Sequence, residues 1–234
     1  GRERYRARPR RARADARSSF PVARPEDRPH QTAPGAAGTP RRADAVGMTN
    51  LADAIILARH HGHPADRAVL DRAVRKGRLV RLIVGAYVDA AVWQAFDGRE
   101  RHLLRAHAAR LIRRRRLVFS HWTAAAVWGL PLVDPLPESV HVVAEPASGG
   151  RTDSRLVRHC VGIPEPTTWL HGLEVTGLAR TVMDLARIAP FPTSVAVADA
   201  ALARGGGVTR DELEAHVGPP RHRGAARAAR VAAF

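Results

Sequence analysis

An α+β fold is expected from three features of the sequence. Within Asp66–Val88 a helical apolar stripe gives way to a strand-like ribbon. Short strands recur through the middle of the chain, at Ser139–Ala144, Arg155–Cys160 and Leu173–Val175. From Leu178 onward helical segments dominate. Together they predict a winged-helix-like N-terminal domain, then a mixed domain with a small sheet and several short helices. The expected boundaries are a tail over 1–47, a first domain over 48–95 and a second over 96–234.

The tail has no apolar periodicity, and Arg, Pro and Ala dominate it, so it is expected to be disordered. It has no apolar core of the kind a secretory signal needs. The chain opens on Gly1, and Met48 lies just before the first apolar segment, so Met48 is the expected native start; the alternative is that the tail is a basic arm adding non-specific DNA affinity. A helix is expected over Asn50–His61, with Leu51, Ala54, Ile55, Leu57 and Ala58 facing inward. Gly62-His63-Pro64 leaves little room for a further helix before the next one.

In the following helix Val69, Leu70, Ala73 and Val74 form the apolar stripe, and Arg67, Asp71, Arg72, Arg75 and Lys76 occupy the remaining surface. Gly77 stands where a left-handed C-terminal cap belongs. Leu79–Val84 are strand formers broken only by Arg81. Gly85-Ala86 permits a tight reversal, and Tyr87-Val88 starts the return strand. A basic helix followed by such a ribbon is the second half of a winged helix. Arg67, Arg72, Arg75 and Lys76 are therefore expected to face the major groove or its flanking phosphates, with Arg78 and Arg81 at the wing.

A helix over Asp97–Arg116 follows, burying Leu103, Leu104, Ala108, Leu111 and Ile112. Its terminal run Arg113–Arg116 reads either as a solvated helix end or as a second phosphate patch. A short strand then leads to Ser120-His121 and a small helix, Trp122–Trp128, stopped by Gly129 and Pro131. Gly149-Gly150 marks a flexible connection. Four helices are expected at Leu178–Ile188, Thr193–Arg204, Thr209–Val217 and Arg223–Phe234, with Thr209 and Glu212 forming a capping box.

The formal net charge is +16 over 234 residues. The tail holds 12 arginines against 5 acids, and the remaining residues keep an excess of +9. A polyanion is the expected partner, with double-stranded DNA the default. A GC-rich coding sequence would also enrich arginine. No apolar run is long enough to span a membrane. The single cysteine, Cys160, excludes an internal disulfide and a cysteine-cluster zinc site, and a reducing cytoplasm fits best.

No catalytic constellation is evident, so an enzyme is not expected. His60, His61 and His63 cluster without a carboxylate at ligand spacing. Ser120-His121 has no orienting acid, and Ser120 reads as a helix cap. His159-Cys160 has no nameable partner. Arg180 and Asp184, four apart in the poorer orientation for an intrahelical pair, read as a structural polar network with a partner elsewhere, the helix of Asp199 or a strand backbone. No cofactor and no metal are expected.

The segment Ser120–Leu132 (SHWTAAAVWGLPL) resembles a motif of actinobacterial AbiEi-family antitoxins. His171–Arg187 (HGLEVTGLARTVMDLAR) and Ala196–Leu213 (AVADAALARGGGVTRDEL) are similar to two further motifs of that family, and the wing apex Val84–Tyr87 matches its glycine-x-tyrosine pattern. The resemblance covers roughly residues 50–234. It implies a winged-helix domain that binds promoter DNA, followed by a domain that counteracts or regulates a nucleotidyltransferase-like toxin. Many relatives continue into a domain similar to very-short-patch-repair endonucleases. That leaves three expectations: a DNA-binding regulator of the antitoxin type, the DNA-targeting part of an endonuclease-like protein whose catalytic domain lies beyond Phe234, or a protein-interaction module whose wing packs on a partner.

Overall fold

The strand formers around the wing pair as the sequence expects, and they recruit a third strand that it did not reveal. The structure is a computed structural model and describes residues 51–58, 64–113, 115–145, 155–163, 166–205, 207–219 and 224–234. The tail, Met48, His60, His61, His63 and the Gly149-Gly150 connection lie outside the described residues.

Asn50–His61 is not a single helix. Residues Ala52–Ala54 make one 3-10 turn, and Ile56–Leu57 form strand β1, paired antiparallel to β3 (Ala86–Asp89). Ile55 and Ile56 are β-branched and sit beside an open strand edge, so pairing there outweighs a marginal helical period. Helix α1 (Pro64–Arg75) follows, then β2 (Leu79–Ile83). The sheet order β1-β3-β2, with a helix entering β2, is that of a winged helix.

Helix α2 (Ala90–Ala95) is capped by the Asp89 carboxylate, which accepts from the Ala91 N–H at 2.8 Å. Helix α3 (Gly98–Ile112) starts at a reciprocal capping box between Asp97 and Glu100 and stops at Ile112, four residues before the expected end. Its buried residues include His102, Leu103, Leu104, Ala106, His107, Ala108 and Ala109, spread around most of its circumference. Such a helix belongs in the interior. One apolar cluster joins Leu57, Leu82 and Val88 of the winged part to Leu103 and Leu104 of α3 and to Phe119, Val140 and Val175 beyond it. The 95/96 boundary therefore lies within a shared core.

The second sheet has the order β6-β5-β4-β8-β7, built from β4 (Val118–Phe119), β5 (Val140–Val143), β6 (Leu156–His159), β7 (Thr167–Leu170) and β8 (Leu173–Thr176). Pairs β4–β8 and β5–β6 are parallel, and β4–β5 and β7–β8 are antiparallel. β7 went unread because its partner turn, His171-Gly172, is not an obvious hairpin signal. Both residues have positive φ, 49° and 73°, as a two-residue type I′ turn requires.

Helix α4 (His121–Trp128) ends at Gly129 in the left-handed conformation. Helices α5 (Leu178–Ile188), α6 (Phe191–Leu202), α7 (Arg210–Ala215) and α8 (Ala225–Ala232) build a second apolar cluster with α4. The Thr209–Glu212 capping box is present. Asp184 is paired within its own helix, with Arg180 Nε at 2.8 Å and Arg187 Nη1 at 2.7 Å, and Arg187 Nη2 also donates to the His216 carbonyl at 2.5 Å. The further partner is Arg187 of the same helix, not the helix of Asp199, and the Asp184 carboxylate they share is buried.

A buried relay ties α3 to α4 and β5. The His141 N–H donates to Thr123 Oγ1 at 2.9 Å, and Thr123 Oγ1 lies 2.8 Å from His102 Nε2. His102 Nδ1 lies 3.0 Å from the Pro137 carbonyl, which can only accept. His102 therefore carries its proton on Nδ1 and accepts from Thr123 at Nε2. Thr123→Val would strip a donor and an acceptor of their partner, and should cost on the order of 2 kcal/mol more than Thr123→Ser in urea unfolding. Equal losses for the two variants would show that the hydroxyl is not what matters.

Burial also pushes the His102 imidazole down to about 4, offset in part by its bond to Pro137. His107 falls to about 4 through burial, helped by Arg110. Both are neutral in the folded state at pH values where the unfolded chain protonates them, near 6.5. The unfolded chain binds more protons in this window, so stability rises with pH across it. The urea midpoint should therefore fall steadily as pH is lowered from 6.5 to 4.

Candidate nucleic-acid interface

Helix α1 packs on β2 through Leu70 and Ala73, which are buried, with Val74 half-buried. Val69, expected in the same stripe, is 56 % exposed. The buried stripe is thus narrower than the sequence suggests, because α1 covers only one edge of a three-stranded sheet. At roughly 100° per residue, Arg72, Arg75 and Lys76 lie within about one quadrant of the outward face, whereas Arg67 falls on the flank. All four are exposed. The structure therefore brings three of the four helix cations together and sets Arg67 apart.

The helix ends in a Schellman arrangement. The Gly77 N–H donates to the Val74 carbonyl at 3.0 Å, and the Arg78 N–H donates to the Ala73 carbonyl at 2.9 Å. Gly77 has φ of 69°, as this cap needs. Arg78 is thereby fixed just past the helix end, exposed and next to Arg75 and Lys76 in the chain.

Arg81 is placed differently from the other five. Its guanidinium pairs with Asp71 of α1 and sits 5.7 Å from the Tyr87 ring centroid. It buttresses the helix against the wing while remaining partly exposed. The wing apex itself is only Val84-Gly85, and Val84 is 62 % exposed. No long basic wing projects from this hairpin.

Arg155, read from sequence only as part of a strand, reaches from the start of β6 to the wing. Its Nη1 donates to the carbonyls of Arg81 and Leu82 at 2.9 and 2.8 Å. A cavity of about 340 Å³ opens there, lined by Arg81, Val84, Ile112, Arg113 and Arg155. A second, of about 410 Å³, shares Ile112 and Arg113 with it and adds Arg115, Arg116, Arg158 and Glu145. Arg113, Arg115 and Arg116 thus lie beyond the end of α3, and Arg113 borders the wing, with Arg114 outside the described residues. Arg116 is tied down, its Nε 3.1 and 3.0 Å from the two oxygens of Glu174, which also accepts from the Thr167 hydroxyl at 2.7 Å. Arg155 and Arg158 were missed because strand alternation hides which face a residue takes. Only the pairing of β5 with β6 settles that.

Ser120 precedes α4 as expected, but its hydroxyl makes no cap. It lies 3.0 Å from His121 Nδ1 instead. No acid completes a triad there among the described residues. His159 does have partners, His121 and His141, contrary to expectation.

The fold and this surface define a winged-helix-like protein with an arginine-lined groove joined to the wing. No protein-family model matches the chain, and no curated protein matches it.

Two glycines set the geometry of the helix end and the hairpin turn, and their replacement separates two costs. Gly77→Ala meets open space and should cost about 1 kcal/mol of stability, from its positive φ alone. Gly85, at φ of 89°, has Ile112 Cδ1 only 3.2 Å from where a Cβ would sit. Gly85→Ala should cost more than Gly77→Ala in the same chemical unfolding experiment.

Proposed function

We propose that this protein is a DNA-binding transcriptional regulator of the antitoxin type. The carrying observation is the outward face of α1, where Arg72, Arg75 and Lys76 stand together without an ion-pair partner among the described residues. The helix leads through a rigid cap into a hairpin, the arrangement by which winged helices present a helix to the major groove. Arg78 continues the charged surface at its end. Arg81, Arg113 and Arg155 extend it into the groove beside the wing, where a flanking phosphate backbone would lie. Arg67 contributes at the flank.

The antitoxin part of the reading draws on sequence motifs. They correspond to α4 with its flanking turns, to β8–α5 and to α6–α7, outside the cationic surface. A nucleotidyltransferase-like toxin is the partner this resemblance suggests. A cytoplasmic setting follows from the DNA ligand, and no helix among the described residues is long and apolar enough to cross a membrane.

The test is a gel-shift series on the promoter of the protein's own gene at rising salt. Replacing Arg72, Arg75 and Lys76 together by Ala should weaken binding. It should also flatten the slope of log K against log salt by about 0.9 for each phosphate no longer neutralised. Full retention of affinity and slope by the triple variant would refute the assignment.

A further inference from the structure

Three imidazoles from separate elements meet at one end of the second sheet. His141 lies in β5 and His159 in β6, whose parallel register pairs His141 with Val157 and Val143 with His159. Alternation places both side chains on one face, as diagonal neighbours. His121 is the first residue of α4, separated from β4 only by Ser120, whose N–H donates to the His141 carbonyl at 3.0 Å. That bond seats the start of α4 over His141. His121 takes a φ of 50°, a conformation few non-glycine residues adopt.

The ring nitrogens converge. His141 Nδ1 and His159 Nε2 are 3.1 Å apart, and one nitrogen from each of the three rings lies within 4.8 Å of the others. The His121 and His159 rings stack with centroids 3.6 Å apart. Two imidazole nitrogens on a tetrahedral zinc, each at about 2.1 Å, stand about 3.4 Å apart. The β5–β6 pair is therefore within a few tenths of an ångström of ligand spacing. The proton the two rings now share would leave to solvent as a cation takes its place. His121 must tilt out of its stack, and its far nitrogen is available because Nδ1 is held by the buried Ser120 hydroxyl at 3.0 Å. An outer-shell bond of this kind orients metal-bound histidines generally.

We propose that His121, His141 and His159 form a binding site for a divalent transition cation of the zinc class. Three imidazoles without a carboxylate or thiolate suit Zn2+, Co2+, Ni2+ or Cu2+ and not the oxygen-seeking Mg2+ or Ca2+. Among the described residues no fourth protein ligand joins the group, so one coordination position is left for water or an exogenous ligand. Half-buried His159 supplies the entry route. Arg180 and Arg187 lie within electrostatic reach of His121, and Asp184, paired with both, offsets their charge. A bound ion would clamp the edge strand β6 to the start of α4. The same strand begins beside Arg155, which holds the wing carbonyls. Cation binding at these imidazoles requires no DNA.

The full chain, freed of metal by dialysis against a chelator, is titrated with Co2+ and then Zn2+. We expect one equivalent of Co2+ to give the visible bands of a tetrahedral ion, Zn2+ to displace it, and Zn2+ to raise the unfolding midpoint. His159→Gln should lose saturable binding, and Ser120→Ala should weaken it by about tenfold or more. A variant with His60, His61 and His63 all changed to Gln should bind as the wild type does. Imidazole nitrogen resonances of the wild-type protein supply a readout independent of any variant's folding, and those of His121, His141 and His159 should shift together on Zn2+ addition. No saturable binding by the folded wild type, binding that survives in a folded His159→Gln protein, or zinc shifts at other histidines would overturn the assignment.

Discussion

The burial of α3 is the constraint on which the rest of the structure depends. This helix has sheet on two sides and α4 against it, so leucine, alanine and two histidines are buried around most of its circumference. Leu103 and Leu104 fill the space between the sheets, while Ala106, Ala108 and Ala109 let neighbouring backbones approach closely. The two histidines it buries are handled differently. His102 has partners for both ring nitrogens, whereas His107 Nε2 has none among the described residues. Because α3 is shared, the winged part does not carry a core of its own. A hairpin with a two-residue turn cannot stand alone in water, and it gains its stability by leaning on α3 through Leu82, Ile83 and Val88.

That dependence shapes the cationic surface. With its inner face committed to α3, the small sheet can offer only α1 and the outer edge of β2 to a ligand. Arg81 and Asp71 then do mechanical work, joining helix to strand, and Arg155 does the same between the two sheets. Arg116, which lines the second cavity, is held by Glu174. Near the hairpin, Arg81, Arg116 and Arg155 brace neighbouring elements, whereas Arg72, Arg75 and Arg78 face outward. Charge counting cannot separate them.

Much of the fold was legible in the sequence because the signals were local. Gly77 after a basic helix, Thr209 three residues before Glu212, and the period change at Leu79 all act through neighbours in the chain, and each element formed where expected. The failures share a different cause. Ile56–Leu57 became a strand because the β3 edge was available, and α3 stopped at Ile112 where the chain leaves the core. β7 formed because β8 lay beside it. These choices depend on partners outside the local stretch of chain, and periodicity within that stretch does not reveal them.

The histidine group marks the limit most clearly. His121, His141 and His159 are about twenty residues apart, on no shared motif, and their ring nitrogens meet only through the β4–β5–β6 register. By itself the sequence determined the α+β class, the helix ends at Gly77, Gly129 and Thr209, the tight hairpin and the identity of the helix cations, because those follow from backbone conformation and short-range periodicity. Tertiary structure alone decided which arginines brace and which face outward, that the two sheets share one core, and that three scattered imidazoles converge. Side-chain direction in a sheet is set by register, and register is a long-range choice.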